Sequence, residues 1–328
     1  MVTEELAGGG HARQPNARGG RQDVVSPAVT VLDGGLATEL ERRGHDLSDS
    51  LWSARLLQDD PAAVREAHLA FFRAGAHVAT TASYQASFDG FMSRGLSRSE
   101  AAGLMRSSVA LAREAAQLAA AEQPSGVRRQ VAASVGPFGA LRADGSEYSG
   151  DYGVSDALLR DVHGPRMEVL ATSGADFLAI ETIPSEQEVT VLLDLLGSMP
   201  EEVCAWLSVT CADGAHTRRG EDISRVFSLA RGVDRLVAVG VNCTPPTHIE
   251  QLVTAAVSAS GKAAIAYPNS GESWDARTRS WKGDAAGVSL EHARRWVTAG
   301  AEWVGGCCRV SSADIARLSA GLGPDYTA

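Results

Sequence analysis

The chain has 328 residues, 44% of them hydrophobic, and a formal net charge of −10. That is enough apolar material for one large α/β domain or, equally, two small ones, and the acidic balance argues against nucleic acid or an anionic membrane surface as a partner. No apolar run reaches the ~18 residues a membrane helix needs, and five cysteines, an odd number, suit reduced thiols in a cytoplasmic setting.

The first 27 residues are rich in Gly and Arg and lack the apolar segment of a secretory signal. They read as a disordered tail ahead of one domain over 28–322. Eight short apolar runs follow, at 28–35, 77–83, 129–136, 177–182, 204–211, 237–243, 263–270 and 302–308. Most are continuous rather than alternating, as strands buried on both faces are. Between them lie segments of helical period at 61–74, 98–121, 155–173, 185–196, 223–232, 247–260 and 290–299, with a last one at 312–320. Three helices close on Gly-Ala, at Gly75-Ala76, Gly174-Ala175 and Gly300-Ala301, where glycine supplies a left-handed helix stop. Eight repeated βα units predict a (β/α)8 TIM barrel. A doubly wound sheet is the rival, but no G-x-G-x-x-G follows the first strand. Two polar stretches break the rhythm, 140–152 after the third strand and 271–282 after the seventh. Long loops after barrel strands are where binding residues collect.

In a barrel the C-terminal strand ends converge on one pocket. Those ends carry Asp33-Gly34-Gly35, Ser83-Tyr84-Gln85, Ser134, Glu181-Thr182, Thr210-Cys211, Asn242-Cys243, Tyr267-Pro268-Asn269-Ser270 and Cys307-Cys308. Adjacent cysteines make poor disulfide partners for each other. Cys243, Cys307 and Cys308 together form a soft-ligand set that suits zinc, with one tetrahedral position left for a substrate, as in catalytic sites. Cys204 reads as a small core residue, and so does Cys211, although it too stands at a strand end. Gly34 and Gly35 let a ligand approach the backbone beside Asp33. Glu181 follows an apolar run directly, so its carboxylate needs a partner or a pocket. Asp33 and Glu181 on one rim could hold the ammonium of an amino acid. Tyr84, Trp52 and Asn269 are weaker pocket candidates. His163, His248 and His292 fall in helical stretches, where solvated or capping roles are expected, and no H-E-x-x-H is present.

Seven segments together resemble the homocysteine S-methyltransferases. They are Val31-Leu32-Asp33-Gly34-Gly35-Leu36-Ala37-Thr38-Glu39-Leu40, Leu51-Trp52-Ser53-Ala54, Thr81-Ala82-Ser83-Tyr84-Gln85-Ala86-Ser87, Ser134-Val135-Gly136-Pro137-Phe138-Gly139-Ala140, Glu181-Thr182-Ile183-Pro184, Asn242-Cys243 and Gly305-Gly306-Cys307-Cys308. The resemblance implies a zinc-dependent (β/α)8 barrel that methylates homocysteine sulfur to give methionine. It implies Cys243, Cys307 and Cys308 as zinc ligands, and Asp33 and Glu181 on the homocysteine amino group. Tyr84 and Trp52 would line the pocket, with Gly34, Asn242 and Asn269 as further substrate-binding candidates.

The stretch 267–272 and the Asp144-Gly145-Ser146-Glu147-Tyr148 loop resemble the bacterial and plant branch, which takes methyl from S-methylmethionine or S-adenosylmethionine. The betaine-using branch is a poorer match. Phe138 stands where that family has Tyr, with an expected effect on the donor pocket, and Gly164 where it has Arg. The partners implied are small molecules, homocysteine and a sulfonium donor; monomer and homodimer stay open. Three alternatives also remain: a betaine or selenocysteine methyltransferase, a thiol redox enzyme, and a non-catalytic barrel with a structural zinc, for which Cys211 would be the fourth ligand.

Overall fold

The computed structural model describes residues 28–47, 51, 53–123, 127–142, 145–275, 280–282, 287–323 and 326. The tail at 1–27, Trp52 and Asp144 lie outside the described residues. Among the described residues there are ten strands: β1 (Thr30–Val31), β2 (Val78–Thr80), β3 (Gln130–Val135), β4 (Phe177–Ile183), β5 (Ala205–Val209), β6 (Leu236–Asn242), β7 (Ala263–Tyr267), β8 (Ser273–Asp275), β9 (Ser280–Lys282) and β10 (Ala301–Val304). Eight of them form one parallel sheet in the order β1-β10-β7-β6-β5-β4-β3-β2. A parallel bridge between Leu32 and Val78 closes the ring, with the Asp33 amide on the Val78 carbonyl at 3.0 Å and the His77 amide on Val31 at 2.7 Å. This is the expected (β/α)8 barrel. Six of the eight barrel strands are shorter than the apolar runs, whereas β4 and β6 are as long as theirs or longer. The stretch after β7 contains the antiparallel β8–β9 pair.

Helices take the predicted places, and their ends follow local chemistry. Asp60 caps the helix Pro61–Arg73 through the Ala63 amide, with Pro at the first helical position. Ser97 and Glu100 form a capping box on Arg98–Glu122. Gly75, Gly174 and Gly300 have φ of 96°, 86° and 113°, a region costly for residues with a Cβ. The short helices Leu36–Arg42, Ser53–Asp59 and Phe138–Arg142 lie in loops after strands or between barrel helices.

The barrel interior is filled unevenly. Ala132, Ala179 and Ala238 leave room for Trp206, which is fully buried. Its ring centroid lies 6.2 Å from Phe177 and 5.9 Å from Trp303. Tyr267 stands above it, with the Trp206 indole N–H donating to the Tyr267 oxygen at 3.0 Å. The aromatic plug closes the lower barrel, so space opens only toward the C-terminal strand ends. Tight strand packing has a direct test at Gly240, where a Cβ would lie 1.9 Å from the Ile265 carbonyl of β7. Gly240→Ala should therefore destabilise the fold by about 3 kcal/mol, read as a lower urea midpoint at unchanged m-value.

Candidate active site

Strands β6 and β10 flank β7, and their ends bring three distant thiols together. The Cys243 amide donates to the Tyr267 carbonyl at 3.2 Å, and the Cys307 amide to the Pro268 carbonyl at 2.7 Å. Both cysteines are thus pinned to the end of β7. Cys243 has φ of 50° and Arg309, directly after Cys308, has 63°; such left-handed backbone in residues with a Cβ is a strained turn. The result places Cys243 Sγ 3.6 Å from Cys308 Sγ and Cys308 Sγ 3.9 Å from Cys307 Sγ. All three sulfurs lie within 4.8 Å of one another and could share one metal ion. Cys211 is fully buried and lies outside this cluster, so it packs as core, and Cys204 is half-buried. Hydrogen bonds from Cys307 and Cys308 hold the Cys243 thiol below its usual range, while the same contacts push those two up. The three thiols therefore titrate as one unit, and the first negative charge is shared within the cluster.

Asn242 ties this cluster to β4. Its Nδ2 reaches Cys307 Sγ at 3.8 Å and donates to Thr182 Oγ1 at 2.7 Å. Its Oδ1 accepts from the Thr182 amide at 2.8 Å and from the Ser208 hydroxyl. Asn269 donates to the Cys243 carbonyl at 3.5 Å and accepts from Gly271 N at 2.9 Å, holding the turn behind the thiols.

Glu181 is aimed by a break in β4. The β4–β5 register shifts between Ile180 and Ile183, and Thr182 has φ of 62°. A bulge of this kind re-aims a side chain that would otherwise alternate. The Glu181 carboxylate accepts from the Ser134 hydroxyl on one oxygen and from Tyr267 OH at 3.0 Å on the other. Burial pushes its pKa up to about 7, against the lowering by those two donors.

A cavity of about 510 Å3 opens above this floor, lined among others by Gly34, Tyr84, Glu181, Cys243, Cys307 and Cys308. Gly34 is needed there, since a Cβ would meet the Val310 carbonyl at 2.4 Å. Asp33 is buried just beneath the lining. Its carboxylate accepts from the Thr80 amide at 2.8 Å and the Thr80 hydroxyl at 3.1 Å, and burial raises its pKa, with Glu181 adding to the effect. The cavity's outer wall carries Glu41, Asp46, Glu147 and Arg309, and Arg309 is held by Glu272.

Two expectations need correction. His163 is not solvated or capping: it is fully buried, with Nε2 at 2.8 Å from Glu188, because its helix turns that face inward. Phe138 is not part of the cavity lining; its ring packs edge-on against Tyr152 at 5.4 Å. Sequence reading missed Thr80, and it gave no role to Ser134 or Tyr267, although both stand at the strand ends where partners for Glu181 had to be found.

The model of the homocysteine S-methyltransferase family matches residues 30–322. The chain belongs to this family. It is 43% identical over 296 residues to the Bacillus subtilis homocysteine S-methyltransferase YbgG, covering 89% of this chain and 94% of that one. It is 40% identical over 323 residues to the selenocysteine methyltransferase of Astragalus bisulcatus, covering 92% and 95%. Among solved structures, the metallated form of the Escherichia coli homocysteine methyltransferase MmuM superimposes with a TM-score of 0.81 at 41% identity, covering 89% of this chain and 96% of that chain.

The raised Glu181 pKa carries a stability signature. Its folded value of about 7 exceeds the ordinary 4.5, so the folded state binds the extra proton between those values. Stability of metal-free protein should then fall as pH rises through that window, by at most roughly 3 kcal/mol from this group. Glu181→Gln should flatten the slope, read from urea midpoints at pH 5 and pH 8.

Proposed function

We propose that the chain is a zinc-dependent homocysteine S-methyltransferase that takes methyl from a sulfonium donor and forms methionine, its domain spanning 28–322. The observation that carries this reading is the trio of sulfurs at the floor of a cavity, in a chain of this family. Zinc–sulfur bonds of about 2.3 Å in a tetrahedron imply sulfur separations of about 3.8 Å. The separations of 3.6 and 3.9 Å fit that edge. Cys243, Cys307 and Cys308 would hold the ion, and the soft, electron-rich donor set suits zinc and thiol ligands. When bound, zinc would keep the acceptor thiol ionised near neutral pH.

The chain's own residues do the rest. Glu181 would accept the homocysteine ammonium, its two oxygens already oriented by Ser134 and Tyr267. Asp33, one layer below, fixes the β2 end through Thr80 and would ionise more readily once an ammonium is bound above it. Tyr84 walls the acceptor, and Asn242 steadies Cys307. Trp52 is proposed as a further wall. Methyl transfer from sulfonium to thiolate releases a neutral thioether, so no general acid is required. The protein's main contribution is near-attack alignment of sulfur and methyl. Reduced thiols are needed for this site, which supports a cytoplasmic setting.

The donor class follows from charge. Glu41, Asp46 and Glu147 face the cavity against the single guanidinium of Arg309. A sulfonium amino acid carries net charge +1 and matches that balance; betaine is net neutral and gains less. A selenol acceptor is the second reading, favoured by the likeness to the Astragalus enzyme.

Cys243→Ala should lose bound zinc by elemental analysis and lower kcat/KM at least about a hundredfold, with the far-ultraviolet circular dichroism kept; full activity in a zinc-free variant would exclude the reading. An activity panel should separate the donors. Zinc-loaded protein with homocysteine should favour S-methylmethionine or S-adenosylmethionine over betaine by about tenfold or more in kcat/KM, and a preference for betaine would overturn the sulfonium assignment. Selenocysteine offered as acceptor tests the second reading.

A further inference from the structure

Two consecutive barrel helices carry three ionisable side chains with no exposure to solvent. His163 and Arg166 lie on Asp156–Ala171, and Glu188 lies on Glu186–Gly197. None of the three lines the cavity. Buried charge is costly, and packed apolar side chains in the same volume are often as stable or more so. Such a cluster earns attention for what its hydrogen bonds hold.

They hold the main chain of two loops that face the cavity. Arg166 Nη2 donates to the Tyr84 carbonyl at 3.1 Å. Glu188 Oε1 accepts from the Phe138 amide at 2.6 Å and meets His163 Nε2 at 2.8 Å. Burial keeps His163 below its ordinary value, so the neutral ring donates to the carboxylate. Burial lowers Arg166 only to about 10, so its charge persists at neutral pH and is offset by Glu188.

The Tyr84 ring lines the cavity and lies directly on Gly136, where a Cβ would come within 2.6 Å of it. Phe138 begins the short helix Phe138–Arg142. The next turn, Ser146–Tyr148, brings Glu147 to the cavity. Helix and turn are in backbone contact, since a Cβ on Gly139 would stand 2.4 Å from the Glu147 nitrogen. Gln85 Nε2 further joins the two loops through the Ala140 carbonyl at 2.9 Å.

We propose that Arg166, Glu188 and His163 are positioning residues, a buried cluster outside the barrel that fixes the Tyr84 and Glu147 walls and, through Tyr84, sets affinity for the amino-acid methyl acceptor. This rests on the proposed methyl transfer. A double-mutant cycle on zinc-loaded protein tests it, using Arg166→Met, Tyr84→Ala and the double variant.

Arg166→Met should raise KM for homocysteine about tenfold, with kcat within about twofold and zinc content unchanged. On the Tyr84→Ala background the same substitution should change kcat/KM by less than about twofold. Should Arg166→Met not fold, Arg166→Lys carries the same cycle with a smaller effect of about threefold, because it keeps the charge but not the planar fork. An unchanged KM, or an equal effect with and without the Tyr84 ring, would overturn the inference alone. Wild-type protein inert toward homocysteine would overturn the proposed function and this inference with it.

Discussion

The end of β7 is the constraint on which the site depends. Cys243 and the tandem pair Cys307-Cys308 lie far apart in sequence, on strands that do not pair with each other. Both reach the same point because the amides of Cys243 and Cys307 bond to consecutive carbonyls, those of Tyr267 and Pro268. The Ser270 amide in turn donates to the Cys308 carbonyl at 3.1 Å. A main chain set in this way brings the three cysteines to one point, and Asn242 adds a side-chain contact to Cys307 Sγ at 3.8 Å. The same residue, Tyr267, sends its hydroxyl to Glu181 and rests on Trp206. The thiol cluster, the carboxylate and the aromatic plug are therefore registered to a single strand end, the kind of rigid support a reactive site requires.

Much of this was legible in the sequence, for definite reasons. Continuous apolar strands alternating with helical period point to a parallel sheet buried on both faces, and the count of eight points to closure. Polar residues that follow apolar runs mark where strands leave the core, which singled out Glu181 and the cysteines. What stayed hidden depends on backbone irregularity and on contacts across the fold. The bulge at Glu181–Thr182 has no local signature, because Thr is an ordinary strand residue and only the β4–β5 register reveals it. Asp33 reads as a rim carboxylate, yet the Thr80 amide and hydroxyl draw it beneath the surface. His163 and Arg166 sit three residues apart on one helix, and Glu188 is on the next; nothing in their spacing says they meet.

The barrel divides its work between two ends in physical terms. Below, alanines on three strands make space for large rings, and that packing supplies cohesion while the Trp206 indole N–H is satisfied by Tyr267. Above, acidic and thiol groups crowd together: Asp33, Glu181, Cys307 and Cys308 are all pushed up by burial or by one another. Close acidic groups in a low-dielectric setting resist ionising together. Such an arrangement lowers the stability of the folded chain at neutral pH, and the rest of the core must offset it.

That cost is the counterpart of binding. A site that disfavours its own negative charges gains most from a ligand that brings positive charge, since each ionisation then becomes favourable. A metal cation beside the sulfurs and an ammonium beside Glu181 would relieve the repulsion at two points of the same cavity. Each would lower the ionisation cost for the other, because Cys307 raises the Glu181 pKa and both raise that of Asp33 through the same Coulomb field. Binding at the two points is then thermodynamically coupled, and by linkage the coupling is reciprocal. On the proposed function, the electrostatic strain of the upper barrel would then favour a cation and a zwitterion held side by side.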